Sequence, residues 1–425
     1  MKEIATVSTI DANIAVPGSK SLTQRALIAA ALADGMSTLA GPLASEDTSY
    51  TSAALKNMGV TVQTDGDPWQ VHGKAGRIST PSEPIFLGNN GTATRFLTSV
   101  AALGNGRFEI TGDPRMAERP IMPLMQALEG WQVDINSIRG TGCPPLEVNA
   151  AGVAGGRTVL PEGKSSQYLS SLLLVAPYAR QPAVLDVEGE VLSKPYVAMT
   201  LAVMRAFGIE AKAADDMSHF EIPTGVYASR EYAIEGDASG ASYFWAAAAI
   251  TGGRVSVSNV PENSLQGDAR LVDIFAQMGC RVNKTSTGMT VIGTPELRGV
   301  EVDMGDCPDV VPTLAVVAAL AKGRTVIKNI AHLRIKECDR LHVVAVELAK
   351  LGVQVQELAD TLIIEGVAGT DTKLHGATID TYNDHRIAMC FAVAGLVIEG
   401  VRISGEECVV KSFPDFWERF DKLYA

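Results

Sequence analysis

An amphipathic stretch that ends in glycine and leads into a short alternating run recurs along the chain. The apolar positions of each copy are spaced as on one face of a helix, and the residues after the glycine alternate as in a strand. The glycines that end these stretches are Gly59, Gly130, Gly208, Gly279 and Gly352, at intervals of 71, 78, 71 and 73 residues. A sixth copy begins at Phe413. Intervals this similar indicate a repeated structural unit.

A second element, a polar turn that runs into an alanine-rich helix, lies about 45 residues before each copy. The six turns begin Gly18-Ser-Lys, Gly88-Asn-Asn, Gly163-Lys-Ser, Gly236-Asp-Ala, Gly305-Asp-Cys and Asn383-Asp-His. A short strand such as 254–258 separates the two helices, and one or two strands follow the second helix. The pattern predicts six units of about 71 residues with the order β-α-β-α-β-β. Because 425 residues exceed what one hydrophobic core usually covers, we expect an α/β fold of two domains with three units each.

Composition and charge restrict the classes of function. The chain is 46% hydrophobic, and its 36 basic and 48 acidic residues give a net charge of −12. Such a protein is a poor general ligand for nucleic acid or anionic membranes, so we expect neither as a partner. The cysteines form no Cys-x-x-Cys pair and show no zinc spacing with the histidines. With no secretory signal and no long apolar run, we expect a cytoplasmic protein with reduced cysteines and no metal.

The polar turns bring cations to the starts of helices. A helix start offers unpaired N–H groups and the positive end of the helix dipole, which favour anions. A Lys or Arg there opposes the dipole and is a poor choice for stability alone. Such cations nevertheless accompany the turns of both halves: Lys20, Arg25, Arg95, Arg119, Arg334, Lys336, Arg340, Arg386 and Lys411. If the units of a domain stack in parallel, the pattern predicts a site for a multiply charged anion between the two domains.

Standard phosphate-binding loops do not explain this site. The segment 163–165 looks like the end of a P-loop, but Thr158 stands where that motif needs glycine. No Gly-x-Gly-x-x-Gly follows a predicted strand, so dinucleotide binding has no support. His-Glu-x-x-His and Gly-x-Ser-x-Gly are absent as well.

Eight segments in order along nearly the whole chain are more specific: 18–25, 87–95, 163–167, 192–196, 236–239, 334–340, 383–386 and 411–415. Together they resemble the 5-enolpyruvylshikimate-3-phosphate (EPSP) synthase family. The resemblance implies a two-domain inside-out α/β barrel built from six βαβαββ repeats. It places residues 20–236 in an upper domain and residues 1–19 with 237–425 in a lower one. A hinge near 19–20 and 235–238 would close the domains around the substrates.

The resemblance also implies the reaction. The family transfers the enolpyruvyl group of phosphoenolpyruvate to the 5-hydroxyl of shikimate 3-phosphate and releases phosphate, by addition and elimination through a tetrahedral intermediate. This is a step of the shikimate pathway to aromatic amino acids. Both substrates are anions, and clustered cations would make their joint binding feasible. Because a C–O bond and not a P–O bond breaks, no metal or cofactor is demanded. A monomer and glyphosate as an inhibitor are further implications.

The family's contacts carry over onto matching positions of this sequence. By resemblance, the shikimate 3-phosphate contacts are Lys20, Ser21, Arg25, Ser165, Ser166, Gln167, Ser193, Tyr196, Asp309, His332 and Lys336. The phosphoenolpyruvate contacts are Lys20, Asn89, Gly91, Thr92, Arg119, Gln167, Arg340, Arg386 and Lys411. Asp309 resembles the general base and Glu337 the acid that protonates the methylene carbon, while Lys20 shares proton transfer with the departing phosphate. Arg95 and His385 are expected to support these residues from behind, and for His385 a catalytic role stays open.

Some positions depart from the family pattern. The family commonly has Asn where His332 stands, so that contact with shikimate 3-phosphate is open to change. In the phosphoenolpyruvate loop, Asn90, Thr94 and Phe96 replace Ala, Met and Pro. We expect turnover to be retained, whereas the potency of glyphosate in this altered loop is left open.

Two alternatives stay open. The UDP-N-acetylglucosamine enolpyruvyl transferases share the fold, but they have a Cys in the mobile loop, which 111–119 lacks, and Asn where Ser21 stands. The other alternative is a non-catalytic anion-binding relative. Asp309 and Glu337 both occupy the positions of the family's base and acid, which argues against a non-catalytic relative.

Overall fold

The computed structural model describes residues 1–163 and 165–424. Among these residues the α-helices are α1 Lys20–Leu32, α2 Glu46–Asn57, α3 Gly91–Ala101, α4 Met122–Gly130, α5 Ser166–Val175, α6 Lys194–Ala206, α7 Ala238–Thr251, α8 Leu271–Gln277, α9 Val311–Ala319, α10 Arg340–Lys350, α11 His385–Gly395 and α12 Phe416–Asp421. No described helix is both long and apolar enough to cross a membrane.

The strands alternate with these helices along the chain. They are β1 Lys2–Glu3, β2 Asp11–Ile14, β3 Asp34–Ala40, β4 Thr61–Gln63, β5 Trp69–Lys74, β6 Ile85–Phe86, β7 Asn105–Thr111, β8 Asp134–Ser137, β9 Leu146–Ala151, β10 Gly156–Leu160, β11 Ala183–Val187, β12 Lys212–Ala213, β13 His219–Ile222, β14 Glu231–Ala233, β15 Arg254–Val257, β16 Arg281–Lys284, β17 Met289–Ile292, β18 Glu301–Asp303, β19 Lys322–Lys328, β20 Gln354–Glu357, β21 Leu362–Val367, β22 Thr378–Asp380 and β23 Arg402–Ser404.

The five four-stranded sheets of the described chain share one pairing pattern. In β6-β7-β9-β8, for example, β6 runs parallel to β7, whereas β9 runs antiparallel to both β7 and β8. The sheets β10-β11-β13-β12 and β18-β19-β21-β20 repeat this pattern. A parallel pair joined by a helix, followed by an antiparallel meander, produces this order.

Contacts within the chain form two compact units. The N-terminal unit is Gly18–Ile234, and the C-terminal unit combines Met1–Pro17 with the described part of Glu235–Ala425. These limits lie two residues before both boundaries predicted from the sequence. Two strands show why the limits fall there. Strand β14 pairs with β3 in the N-terminal unit, at Tyr232 opposite Leu39, whereas β2 pairs with β15 in the C-terminal unit, at Ala12 opposite Val255.

Each unit is centred on three largely buried helices. Helices α1, α3 and α5 contact one another in the N-terminal unit, and α7, α9 and α11 do so in the C-terminal unit. Residues 238–249 of α7 are all buried, as is the whole of α9 and α11. Small side chains allow such close packing. The polar turns found in the sequence are the starts of these buried helices, which brings their first turns to one end of each core.

Candidate active site

In the N-terminal unit, the start of α1 presents Lys20. The Ser19 hydroxyl caps the helix by accepting from the Leu22 N–H at 3.4 Å. Lys20 Nζ donates to Asp47 Oδ2, at the start of α2, over 3.1 Å. Gly18 cannot carry a side chain, because a Cβ there would overlap the carbonyl of Gly41. The turn therefore fixes a half-buried ammonium beside a buried carboxylate.

Arg25 lies one turn deeper in α1, and its guanidinium is fully engaged. Its Nε donates to Thr200 Oγ1 at 2.7 Å, and its Nη2 donates to Ser170 Oγ at 3.1 Å. Nη1 donates to the Ser21 carbonyl at 2.9 Å. Burial lowers the pKa of Arg25 to about 10, which still leaves it charged at neutral pH. Tyr196, one of the predicted contacts, lies against it, with its ring centre 5.9 Å from the guanidinium carbon.

The start of α3 gathers a second group of predicted residues. Arg119 Nη1 donates to both the carbonyl and the side-chain oxygen of Asn89, each at 3.1 Å. A Cβ on Gly91 would lie 2.7 Å from Arg119 Cζ, so this close approach requires glycine. Gln167 Nε2 donates to Thr92 Oγ1 at 3.2 Å. Arg119 Nε is buried and has no hydrogen-bond partner among the described residues, as expected of a donor reserved for a ligand.

Arg95 donates hydrogen bonds to the backbone next to this group of residues. It donates from Nη1 to the Gly91 carbonyl at 3.2 Å and from Nη2 to the Pro120 carbonyl at 2.9 Å. The Tyr168 hydroxyl donates to the same Pro120 carbonyl at 2.5 Å. Burial first, and then the charge of Arg119, lower the pKa of Arg95 to about 10. The guanidinium thus ties the segment that carries Arg119 to the start of α3.

The predicted serine contacts lie at two other helix starts of this unit. Ser165 is the N-cap of α5, and Ser166 is its first residue. Ser193 is the N-cap of α6 with φ 57°, a left-handed conformation that is uncommon outside glycine and marks a constrained site. Lys164, part of the motif at 163–167, lies outside the described residues.

In the C-terminal unit, Asp309 lies in the turn before α9, surrounded by cations. Its Oδ2 accepts from Arg386 Nη2 at 2.7 Å, and its Oδ1 accepts from Arg340 Nη1 at 3.1 Å. Lys336 Nζ lies 3.8 Å from Oδ1. Burial would raise the pKa of this carboxyl, but the charges of Arg386, Lys336 and Arg340 outweigh burial and hold it well below its usual range. Asp309 is therefore ionised at neutral pH.

Arg340 connects this base to the other predicted residues. It is buried at the start of α10, and its Nη2 donates to Glu337 Oε2 at 2.7 Å. Its Nε donates to Asp384 Oδ2, also at 2.7 Å. Burial disfavours the charge, but Asp384, Glu337 and Asp309 together raise the pKa of Arg340 above its usual value. Lys411 Nζ lies 3.6 Å from Glu337 Oε1 and completes the cluster.

The two predicted histidines differ in surroundings. His332 is buried, and neither ring nitrogen has a hydrogen-bond partner among the described residues. Burial first, and then the nearby charge of Lys336, lower the pKa of His332 to about 4, so the ring is neutral. His385 is fully buried as the first residue of α11, with Nδ1 3.8 Å from Asp384 Oδ1.

The structure adds residues that sequence reasoning missed. Asp384 caps α11 by accepting from the Arg386 N–H at 3.0 Å while it holds Arg340. Its place in the segment 383–386 was visible, but an aspartate before a helix predicts only a cap. Asp47 gave no signal as a partner of Lys20. No group of three or more described His, Cys, Asp or Glu side chains is arranged to hold a metal ion.

Known proteins resemble this chain over nearly its full length. Residues 4–420 match the family described as EPSP synthase (3-phosphoshikimate 1-carboxyvinyltransferase). The chain is 47% identical to the 3-phosphoshikimate 1-carboxyvinyltransferase of Syntrophobacter fumaroxidans, over 99% of each chain. It is 43% identical to the protein of that name from Trichormus variabilis, over 97% of this chain and 96% of the relative. The solved EPSP synthase of Acinetobacter baumannii has a TM-score of 0.82 at 27% identity, covering 99% of this chain and 97% of that one. This likeness confirms the predicted two-domain α/β fold class.

Proposed function

The chain belongs to the EPSP synthase family, and from this premise we propose that it transfers the enolpyruvyl group of phosphoenolpyruvate to the 5-hydroxyl of shikimate 3-phosphate. Phosphate is the second product. The family-level resemblance seen in the sequence is confirmed by the relatives. The observation that carries the proposal for this site is the largely buried carboxylate of Asp309 among Lys336, Arg340 and Arg386. The cluster combines an ionised base with cations that suit anionic substrates.

We propose that the substrates themselves strengthen Asp309 as a base. The surrounding cations hold its pKa low, and such a carboxylate has little affinity for a hydroxyl proton. Shikimate 3-phosphate would engage Lys336, and phosphoenolpyruvate would engage Arg340 and Arg386. Their negative charges offset those cations and raise the pKa of Asp309. Proton removal is then efficient only when the enolpyruvyl donor is in place to receive the attacking oxygen.

Glu337 is proposed as the acid. In the addition step, the 5-hydroxyl oxygen bonds to C2 of phosphoenolpyruvate, its proton passes to Asp309, and Glu337 protonates the methylene carbon. In the elimination step, the Glu337 carboxylate takes a proton back from the new methyl group, the C–H electrons restore the double bond, and the C–O bond to phosphate breaks with its electrons leaving on the phosphate. Both Arg340 and Lys411 contact Glu337. An anionic substrate that binds these two cations therefore competes with Glu337 for them.

The N-terminal unit is proposed to hold the remaining charges. Lys20 neutralises the departing phosphate. Arg119, whose guanidinium lies beside Gly91 and whose Nε has no partner among the described residues, binds phosphoenolpyruvate. Ser165, Ser166 and the constrained Ser193 bind shikimate 3-phosphate. Helix starts with exposed N–H groups and hydroxyl side chains are suited to phosphate.

Finer features of the function are part of the same proposal. We propose that the protein acts as a cytoplasmic monomer and that glyphosate competes for the phosphoenolpyruvate contacts. Thr94 and Phe96 lie buried within α3, where Thr94 Oγ1 donates to the Asn90 carbonyl at 2.9 Å. The Phe96 ring lies 5.3 Å from the Arg25 guanidinium carbon. These replacements therefore act on the loop through its packing.

Phosphate release with phosphoenolpyruvate and either shikimate 3-phosphate or UDP-N-acetylglucosamine tests the proposal. We expect release with shikimate 3-phosphate alone. Asp309→Asn and Glu337→Gln should each lower kcat by about 100-fold or more, the usual contribution of a positioned acid or base. Asp306→Asn, a change of the same kind on the same loop, is the control and should retain the parent rate. Release with UDP-N-acetylglucosamine, or parent turnover by both variants, would overturn the assignment.

A further inference from the structure

Asp268 is a buried carboxylate that none of the proposed contacts includes. It lies in the short 3₁₀ helix Gly267–Arg270 that precedes α8, and its side chain accepts a hydrogen bond from the Ser239 hydroxyl in the first turn of α7. Gln266, two residues earlier, fixes this segment. Its Oε1 accepts from the Ala238 N–H at 3.0 Å, and its Nε2 donates to the Gly236 carbonyl at 2.8 Å. The carboxylate of Asp268 is thus held in one place.

Asp268 is close to the turn that carries Asp309, and the charge of Arg386 acts on both carboxylates. The 3₁₀ helix of Asp268 contacts the turn Pro308–Val310, which carries Asp309. The negative charges of Asp309 and Asp237 oppose ionisation of Asp268, whereas the positive charge of Arg386 and the Ser239 hydrogen bond favour it. Arg386 also donates to Asp309 at 2.7 Å. One guanidinium therefore attracts two carboxylates that repel each other.

The other ionisable groups near Asp268 are either paired with another charge or neutral. Arg270, on the same 3₁₀ helix, is exposed and lies 3.7 Å from Asp306. The Cys307 thiol is buried, and burial together with the charge of Asp268 raises its pKa, so it stays uncharged. Asp309, Arg386 and Asp237 are thus the charges that Asp268 responds to.

We propose that Asp268 is a positioning residue for the reaction, which shares Arg386 with Asp309 and, through its own charge, sets how strongly Asp309 takes the proton of the substrate hydroxyl. This inference rests on the proposed role of Asp309 as the base. It adds no step to the reaction, since the proton still passes to Asp309 alone. What Asp268 supplies is a second negative charge close to the base.

The direction of the effect follows from electrostatics. Burial first, and then the charge of Asp309, raise the pKa of Asp268 to about 7. Above that pH, ionised Asp268 disfavours a negative Asp309 and so raises the proton affinity of the base. Below it, protonated Asp268 no longer competes for the charge of Arg386, which then acts more fully on Asp309, and the base weakens. Because kcat reports the substrate complex, in which phosphoenolpyruvate offsets Arg386 and raises the pKa of Asp268 further, we expect kcat to rise with pH from about pH 7 upward.

Two variants test this pH dependence from opposite sides. Asp268→Asn keeps the size and the hydrogen-bonding partner but is always neutral. It should lower kcat at pH 8 by about tenfold, the effect of one pKa unit on the base, and abolish the rise near pH 7. Ser239→Ala removes a hydrogen bond to the ionised carboxylate of Asp268. The rise in kcat should therefore move to higher pH, and kcat should reach the parent value once Asp268 is fully ionised. Both variants should change KM less than kcat.

Asp273→Asn is the matched control. This aspartate lies five residues further on, in α8, where it is half exposed and pairs with Lys284 at 2.6 Å. Its profile should coincide with that of the parent. Far-UV circular dichroism and the thermal midpoint establish that each variant is folded, and Ser239→Ala decides the matter if Asp268→Asn does not fold.

The outcomes separate this inference from the proposed function. If Asp268→Asn keeps the rise near pH 7, or if it lowers kcat by the same factor at every pH, the inference is wrong. If Asp309→Asn is inactive while the profiles of both test variants match the parent, only the role of Asp268 falls. If Asp309→Asn turns over at the parent rate, the proposed base falls and the inference falls with it.

Discussion

At the scale of single residues, Gly91 is a position where one added carbon reaches the anion site. We predict that Gly91→Ala displaces the Arg119 guanidinium, because the new Cβ would lie 2.7 Å from its Cζ. KM for phosphoenolpyruvate should rise by about tenfold, as expected when one charged contact loses about 1.4 kcal/mol. Stability should fall only slightly, because the displaced Arg119 loses its hydrogen bonds to Asn89 while alanine is the better helix former. Steady-state kinetics and a thermal melt measure the two effects, and an unchanged KM would show that Arg119 adjusts without loss.

His332 leads to a second prediction, which concerns the stability of the protein at acid pH. Its folded pKa of about 4 lies below the unfolded value of 6.5, so the unfolded chain binds the proton more tightly. Stability is therefore complete above about pH 6.5 and is lost as pH falls toward 4, by about 3 kcal/mol in all. His332→Asn should remove this part of the acid sensitivity. Urea unfolding at pH 7 and pH 4.5 measures it, with His342→Asn, an exposed histidine, as the control; equal slopes for parent and variant would contradict the prediction.

The candidate residues follow from local segments and from the family resemblance that those segments carry, and their roles stay predictions. Lys20 lies in the segment 18–25, whereas Arg119 and Asp309 lie outside the eight segments and are placed by the resemblance. The partners that set their behaviour could not be predicted in this way. Asp268 lies 41 residues before Asp309 in the sequence, and only the packing of two short 3₁₀ helices brings them near one another. Pairwise charge effects of this kind have no signature in a linear pattern.

At the scale of elements, a residue that caps a buried helix can also hold a side chain of the candidate site. Asp384 is the clearest case, since it caps α11 and holds Arg340. The sequence predicted the buried helices from the polar turn before each and from an alanine-rich run, although α5 contains no alanine. Which strands pair could not be predicted for β2 and β14, because alternation specifies the faces of a strand but not its neighbour.

The double role of Asp384 predicts an unequal cost for two aspartate caps. Asp384→Ala leaves the buried Arg340 charge with one fewer partner and should lower the free energy of unfolding by about 3–5 kcal/mol. Asp339, the N-cap of α10, accepts from the His342 N–H at 3.0 Å and is partly exposed. Asp339→Ala should cost about 1 kcal/mol, the usual value of a cap. Chemical denaturation compares them, and similar losses for both would contradict a special role for Asp384.

At the scale of the whole molecule, the two units differ in how the chain builds them. The N-terminal unit is one continuous segment, whereas the C-terminal unit needs β1 and β2 from the first 17 residues. We predict that a fragment of residues 18–234 folds cooperatively alone, while residues 235–425 do so only when a peptide of residues 1–17 is added. Circular dichroism melts of the fragments, with a scrambled peptide as the control, measure this. Cooperative unfolding of 235–425 without the peptide would contradict it.

The pairing of β1 with β23 also has a consequence for synthesis on the ribosome. Lys2 lies opposite Ile403, so β1 has no partner strand until about 400 further residues have been made. At the usual 5–20 residues per second, that delay is about 20 to 80 s. The N-terminal unit is complete well before then, and its sheets can form while β1 and β2 are still unpaired. The nascent chain therefore exposes the unpaired edge of β1 until β23 has been made. A chaperone can bind that edge during this interval.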